Sequence, residues 1–254
     1  MFYLKYPLPI LAGDVIHFLL VLAAADVQLL PAIRHEIAVA AEIQLRVPAS
    51  RVVEAFRHIE TLKRCEEVPA VGRFSLLPVE ADLQGKADRK PLLEAARRYQ
   101  AHGGQNALFR ALVDRSDQLR QVAPELAAFL VDYPNSGLAV DDQFLYWSTE
   151  RMGPTSVGVV THAVVYQVPG TRVTVIATKQ AYASRHVDAS LGITLLTDQP
   201  GGATLRYINR TVVGKLPGFL RPLVERRVLS TTRRKLDELR LRLEQPALVE
   251  VTAR

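Results

Sequence analysis

Apolar and polar residues alternate in the last third of the chain in a way that predicts β-strands. Between residues 187 and 195 every second residue is apolar, which is the period of a half-buried strand with a polar side facing solvent. A run rich in β-branched residues precedes it at 173–178, and a Pro-Gly turn at 198–202 leads to a further strand at 203–213. We therefore expect adjacent antiparallel strands in this region.

The period changes after this last strand, from two residues to between three and four. The change predicts a helix over 216–243, of roughly 28 residues and ~40 Å. Its apolar stripe consists of Leu229, Thr232, Leu236, Leu239 and Leu243. A helix of this length can cross the whole face of a small sheet, so the pattern predicts an α+β fold in which the sheet and the helix share a core.

The first half of the chain begins its regular structure with a strand and a helix. The pattern predicts a strand over 36–47 and an amphipathic helix over 51–62. Ser50 is the residue type that caps such a helix at its N-terminus.

The middle of the chain is helical. Residues 87–131 contain three helical segments, separated at a Gly-Gly pair and at Pro124, and we interpret them as an insertion. The strand that follows, 157–167, is apolar on both faces, which predicts that another layer covers its outer side. The inserted helices are the expected cover.

Composition and charge fit a soluble globular protein with one concentrated basic region. The 254 residues are 48% hydrophobic and 23% charged, with a net charge of +6 and a single cysteine, so an internal disulfide is excluded. Many of the cations lie on the terminal helix, including Arg226, Arg227, Arg233 and Arg234. They form either a solvated surface or a site for an anionic membrane surface. No motif of a nucleic-acid-binding protein accompanies them, so nucleic acid is not an expected partner.

The N-terminal 25 residues have the form of a signal peptide. An apolar run at 15–25 ends in three alanines before Asp26, as at a signal-peptidase cleavage site. We predict export to the periplasm or the medium. The alternative is an apolar N-terminal helix of a cytoplasmic protein, which is supported by Asp14 and by the few positive charges ahead of the run.

Two segments resemble the START-like (SRPBCC) superfamily, whose members have the helix-grip fold. Residues 41–60, AEIQLRVPASRVVEAFRHIE, are similar to the first strand and following helix of that superfamily, and residues 203–244 are similar to its last strand and terminal helix. The resemblance covers 36–244 as one domain, including the insertion 87–131, and leaves 245–254 as a tail.

The resemblance implies a curved antiparallel sheet that grips the C-terminal helix, with a cavity between them for a hydrophobic small molecule such as a lipid, sterol, polyketide or quinone. Two alternatives remain open at this point. The protein could be an aromatase or cyclase that acts on a polyketide in the same cavity, or a non-enzymatic interaction protein whose cavity is filled by its own side chains.

Catalytic, cofactor-binding and metal-binding motifs are not found in the sequence. The best candidates for ligand contacts are amphipathic side chains on the predicted strands, because a mostly apolar pocket needs a few polar groups to orient its ligand. These candidates are Trp147, His162, Tyr166, Lys179, Tyr182, His186, Tyr207 and Arg210.

His162 is the candidate with the most alternatives. It is interpreted as a hydrogen-bonded core histidine, as a ligand-orienting group or as a general base. A triad of Ser184, His186 and Asp188 is disfavoured, because residues two apart on a strand are ~6.5 Å apart along the chain.

Overall fold

Eight antiparallel strands form one curved, open sheet in the computed structural model, which describes residues 25–33, 35–74, 90–104, 106–152, 155–214 and 217–245. Neighbouring strands follow the order β1-β2-β8-β7-β6-β5-β4-β3. In chain order the strands are β1 (Asp26–Leu29), β2 (Glu36–Leu45), β3 (Ala70–Arg73), β4 (Asp142–Met152), β5 (Thr155–Gln167), β6 (Val173–Ala183), β7 (Val187–Gln199) and β8 (Gly202–Val213).

Helices pack on both faces of the sheet. They are α1 (Ala49–Arg57), α2 (Ile59–Lys63), α3 (Lys90–His102), α4 (Ala107–Asp114), α5 (Asp117–Val122), α6 (Pro124–Asp132) and α7 (Arg221–Glu244). We call the face that packs against α1 and α7 the inner face, and the face that packs against α3 to α6 the outer face. Each face has its own hydrophobic core.

The terminal helix α7 lies across the inner face, as the sequence predicted. Its 24 residues span about 36 Å. Val228, Leu236, Leu239 and Leu243 are buried and join the core that β2, β8 and α1 contribute. α7 packs most closely on β1, β2 and α1. The predicted α+β helix-grip architecture is confirmed.

The helices α3 to α6 cover the outer face, which explains why β5 is apolar on both sides. Val164 and Tyr166 of β5 share a core with Leu112 of α4 and Leu126 of α6. Val160 packs with α3 in a smaller cluster. The expected position of the helical insertion is therefore confirmed.

Several local details differ from the sequence prediction. The short elements β1, β3 and α5 were not predicted, and the helix predicted over 51–62 is divided at His58 into α1 and α2. Ser50 is not the N-cap of α1: the helix begins at Ala49, and the capping position is Pro48, which has no side-chain capping hydrogen bond. Proline is tolerated at this position because its fixed φ is compatible with the start of a helix.

The prediction for β7 is wrong in one respect that affects function. Ala189, Leu191 and Ile193 face the outer core, as the apolar side of the strand should. The other side, with Ser190 and Thr194, is also buried instead of meeting solvent. It faces the inner side of the sheet, where α1 contacts β7 and where α1 and α7 share one core with the strands.

The predicted signal peptide lies outside the described residues except for Ala25, so export stays a prediction, and most of the tail 245–254 lies outside them too. In the parts of the chain that the structure describes, no helix combines the length and apolar character needed to cross a bilayer.

Candidate functional site

The centre of the inner face is built from small and polar side chains, although it is buried. The strand register places these residues on the same side as the apolar residues that pack against α1 and α7. They are Thr161, Ala163, Thr178, Ser190, Gly192, Thr194, Asn209 and Thr211. Because most buried positions in a core are apolar, this concentration of hydroxyl and amide groups marks the inner face as a candidate site.

A chain of hydrogen bonds crosses from β7 to β8 in this region and ends at Asn209. The hydroxyl groups of Ser190 and Thr211 are 2.8 Å apart, and Thr211 Oγ1 donates to Asn209 Oδ1 over 2.9 Å. Asn209 is completely buried, and its Nδ2 has no hydrogen-bond partner among the described residues. A buried amide donor that is left unpaired is costly, so this group favours a bound acceptor.

Gly192 keeps the space beside this amide open. A Cβ atom at residue 192 would lie 3.7 Å from Asn209 Nδ2 and would collide with Thr178 Oγ1. Because residue 192 has no side chain, no β7 atom at that position covers the Asn209 amide.

Two more unpaired donors lie on α7. Thr232 is completely buried, and its hydroxyl has no hydrogen-bond partner within the described chain. Arg240 is also buried; its Nε donates to Glu244 Oε2 over 2.9 Å, while its Nη1 lacks a partner in the same described region. Sheet and helix thus each carry buried donors without a partner among the described residues, and none of these groups needs to lose a proton to bind an oxygen acceptor.

An ion pair forms one wall of the inner face where β4 meets α2. Lys63 Nζ donates to Glu150 Oε1 and, over 3.0 Å, to Ser148 Oγ, and Ser148 Oγ donates to Glu150 over 2.7 Å. Lys63 also lies over the Tyr146 ring, with its Nζ 5.1 Å from the ring centroid. Burial and the nearby Glu150 charge raise the pKa of the Tyr146 hydroxyl, so it stays protonated.

The structure places only one of the eight predicted ligand residues, Tyr207, on the inner face. Six lie on the outer face: Trp147, His162, Tyr166, Lys179, Tyr182 and Arg210. His186 lies in the turn between β6 and β7, exposed and with a positive φ of 69°. The expectation that these residues share a cavity between sheet and terminal helix is therefore wrong, because the strand register gives their side chains the opposite direction. Whether any of them contacts a ligand elsewhere stays a prediction.

His162 is the centre of a buried aromatic cluster that attaches α3 and α6 to the sheet. Its Nδ1 is 3.0 Å from Tyr99 Oη, and its Nε2 is 3.1 Å from Gln143 Oε1. The Tyr133 ring lies 4.4 Å from the His162 ring, centroid to centroid. Both ring nitrogens therefore have partners within the protein, which is the arrangement of a hydrogen-bonded core histidine.

Lys179 is buried beside this cluster and binds the end of a helix. Its Nζ donates to the Leu130 carbonyl over 2.7 Å, in the last turn of α6, where a cation is favourable. The same nitrogen lies 4.5 Å from the centroid of the Phe109 ring. Burial lowers the pKa of Lys179 to about 8. Lys179 thus neither reaches solvent nor pairs with a carboxylate in this contact, because its partner is a backbone carbonyl.

His162 makes the stability of the fold sensitive to acid. Burial, and secondarily the Lys179 charge, lower the pKa of His162 to about 3 in the folded state, against about 6.5 in the unfolded chain. Between these values the unfolded state binds more protons, so stability falls as the pH falls below about 6.5. We expect the free energy of unfolding to decrease by about 2 kcal/mol from this group between pH 7 and pH 5.

The measurement is urea unfolding of the wild type and the His162→Gln variant at both pH values. His58→Gln is the control, because the His58 side chain is 71% exposed. The variant at residue 162 should lose less stability on acidification than the wild type and the control. Equal losses in all three proteins would show that His162 does not couple protonation to folding.

A pocket of about 600 Å³ opens on the outer side of the sheet, between the α3–α4 connection and the end of α6. Arg110, Asp132 and Tyr133 line it, and none of the eight predicted residues does. Across the residues that the structure describes, no cluster of three or more metal-ligating side chains is present.

Comparison with known proteins finds similarity to solved structures at low sequence identity. TTHA0849 from Thermus thermophilus is 12% identical over 81% of this chain and 96% of its own, with a TM-score of 0.44. CV1439 from Chromobacterium violaceum is 10% identical over 78% and 96% with a TM-score of 0.34, and Ara h 8.0201 is 9% identical over 82% and 99% with a TM-score of 0.34. No family model and no curated protein matches the chain. Likeness at this level does not indicate a shared ligand or activity.

Most inner-face residues were not predicted, because the candidates indicated by the sequence are aromatic and basic side chains. A usable signal was present: the polar side of β7 carries Ser190, Gly192 and Thr194, small and uncharged residues, where a solvent-facing strand usually carries charged ones. Asn209 and Thr211 continue this pattern on β8. Uncharged, small polar residues on adjacent strands indicate a buried polar surface.

Proposed function

We propose that the protein binds a hydrophobic small molecule carrying oxygen acceptors, such as a fatty acid, quinone or polyketide, between the inner face of the sheet and α7. The apolar residues of β2, α1 and α7 supply hydrophobic contact for most of such a ligand. Asn209, Thr232 and Arg240 have donors without a partner in the described part of the chain, and these donors supply the few oriented polar contacts that a ligand of this class needs.

The observation that carries the proposal is the Asn209 amide. It is completely buried, it lies beside a glycine that leaves its donor side open, and its other end is fixed by Thr211. Buried amide groups in folded proteins are nearly always paired, so an acceptor from a ligand or a ligand-associated water accounts for its position. A ligand oxygen at Nδ2 would complete the hydrogen-bond chain that begins at Ser190.

The experiment has two stages. Mass spectrometry of an organic extract of the purified protein identifies any bound hydrophobic molecule, and titration with a fluorescent fatty acid measures affinity. The Asn209→Leu variant should bind the probe roughly tenfold more weakly, since the loss of a buried hydrogen bond is worth about 1.5 kcal/mol. Its unliganded stability should fall by at most about 1 kcal/mol. Leucine is of similar size and removes an unpaired donor, and the Thr211 hydroxyl, which loses its acceptor, can still bond Ser190.

The control is Asn135→Leu, which removes an exposed amide that lines the outer pocket. This control should bind the probe like the wild type. If the Asn135 variant loses affinity and the Asn209 variant keeps it, the outer pocket is the binding site and the proposal is wrong. If the wild type neither binds the probe nor yields an extractable ligand, the interior is filled by its own side chains.

The aromatase or cyclase alternative receives no support from the described residues. It required histidine and tyrosine to converge in the cavity, but His162 and Tyr99 converge on the outer face. Burial lowers the pKa of His162 and raises that of Tyr99, so both are neutral near pH 7 and already bonded to each other. Binding without chemistry is the function that the geometry favours.

A further inference from the structure

Large apolar side chains are exposed together at one end of the molecule, where the loop between β1 and β2 meets the start of α7. Ile33 is 47% exposed, Phe219 81% and Leu223 51%. We call these three residues the tip. Arg221 brings the two segments together, because its Nη2 donates to the Glu36 carbonyl over 3.0 Å, while the Ile33 amide donates to the Glu36 side chain.

The exposure of the tip is not required by the fold. Phe219 lies in the short 3₁₀ helix Gly218–Leu220 that precedes α7, and none of its three residues is buried. Leu223 follows on the solvent side of α7, opposite the buried residues Val228 and Leu236. Phenylalanine and leucine at such positions gain nothing for folding, so their exposure indicates a binding surface.

Basic residues border the tip. Arg226 and Arg227 are three and four residues beyond Leu223, on the same exposed side of the helix. Neither forms an ion pair with the residues that the structure describes. Arg185, in the turn between β6 and β7, is exposed at the same end of the sheet.

Acidic residues do not cancel this charge. Glu225 is bound to Arg221 over 2.6 Å, and Asp188 is an exposed carboxylate at this end, against three arginines. Further along α7, Arg234 is already paired with Glu67 and Glu238. Positive charge that is not neutralised by a neighbouring carboxylate is therefore greatest beside the tip and is smaller further along α7.

We propose that the tip docks the protein onto anionic lipid bilayers, with Ile33, Phe219 and Leu223 inserted among the headgroups and acyl chains and with Arg226 and Arg227 against the lipid phosphates. An apolar surface bordered by cations matches the layered chemistry of such a membrane, which has an apolar interior and a negatively charged surface. A protein partner would need an apolar pocket surrounded by carboxylates at matching positions. An anionic bilayer offers an apolar interior and negative charge over its whole surface, so it can accept the tip in any orientation about the membrane normal. The proposal does not depend on ligand binding between the sheet and α7.

The test is co-sedimentation of the full chain with phosphatidylcholine vesicles, with and without phosphatidylglycerol. We expect binding only to the vesicles that contain phosphatidylglycerol, and weaker binding as salt is added. The Phe219→Ser/Leu223→Ser variant should bind at least roughly tenfold more weakly, because interfacial affinity scales with buried apolar area. Its control is Leu108→Ser/Leu241→Ser, which removes two exposed leucines away from the tip.

The charge is tested in the same assay. Arg226→Gln/Arg227→Gln should weaken binding roughly tenfold to thirtyfold, since each arginine near an anionic surface contributes a factor of about five. Arg46→Gln/Arg172→Gln removes the same net charge at the opposite end of the sheet and should bind like the wild type.

Three outcomes would overturn the proposal. The first is equal binding to both vesicle types, and the second is equal effects of the tip variants and their controls. The third is self-association without lipid that the Phe219→Ser/Leu223→Ser variant abolishes, together with no vesicle binding, which would make the tip a contact between copies of this chain.

Discussion

The Glu36→Gln variant should lose about 3–5 kcal/mol of unfolding free energy, the effect expected when one partner of a buried ion pair is removed. Glu36 is completely buried at the start of β2. Its Oε1 accepts a hydrogen bond from Arg210 Nη1 over 2.7 Å, and its Oε2 lies 3.1 Å from Arg115 Nη2. Glutamine has the same size but no charge, so it leaves the buried Arg210 cation without its carboxylate.

The matched control lies on the same strand. Glu42 is 44% exposed and pairs with Arg206, which is 60% exposed, so Glu42→Gln should cost at most about 1 kcal/mol. Urea unfolding of both variants at neutral pH gives the comparison. Similar small losses in both variants would show that the Glu36 cluster is solvated and contributes little to the fold.

The Leu236→Ala variant should lose about 2–5 kcal/mol, because it removes a large side chain from the core between α7 and the sheet. Leu236 has no exposed surface and packs with residues of β2, β8 and α1. The control is Leu241→Ala on the same helix, where the side chain is 59% exposed and the expected change is within about 0.5 kcal/mol. A loss at residue 236 no larger than that of the control would mean that the sheet does not hold the helix.

The sequence was sufficient for those parts of the fold that depend on periodicity. The period of two identifies β7 as a strand, the period near 3.6 identifies α7 as a helix, and the apolar character of both faces of β5 indicates that both of its faces are buried. They predicted the antiparallel strands, the long terminal helix and the covering layer formed by the insertion. Short elements escaped prediction: β1, β3 and α5 have four to six residues each, and their formation depends on pairing or packing with distant segments.

The sequence was not sufficient for the candidate site, because strand side chains alternate between two faces and both faces of this sheet are buried. His162 and Thr161 are adjacent in the chain, yet His162 lies under the inserted helices and Thr161 lies on the inner face. A histidine or tyrosine in an apolar strand has no local property that reveals which layer it meets. The aromatic and basic candidates therefore belong to the contacts that attach the insertion.

Local sequence by itself determined the type and approximate position of the main strands and helices, since these follow from the spacing of apolar residues and from turn residues such as those at 198–202. Only the tertiary structure decided which helices cover which face. It thereby decided that the polar side of β7 is interior and that the Asn209 amide lies on the inner face without a partner among the described residues. The physical reason is that a strand's period specifies two sides but not their neighbours. Those neighbours come from distant segments, as the contact between Glu36 and Arg210, 174 residues apart in the chain, shows.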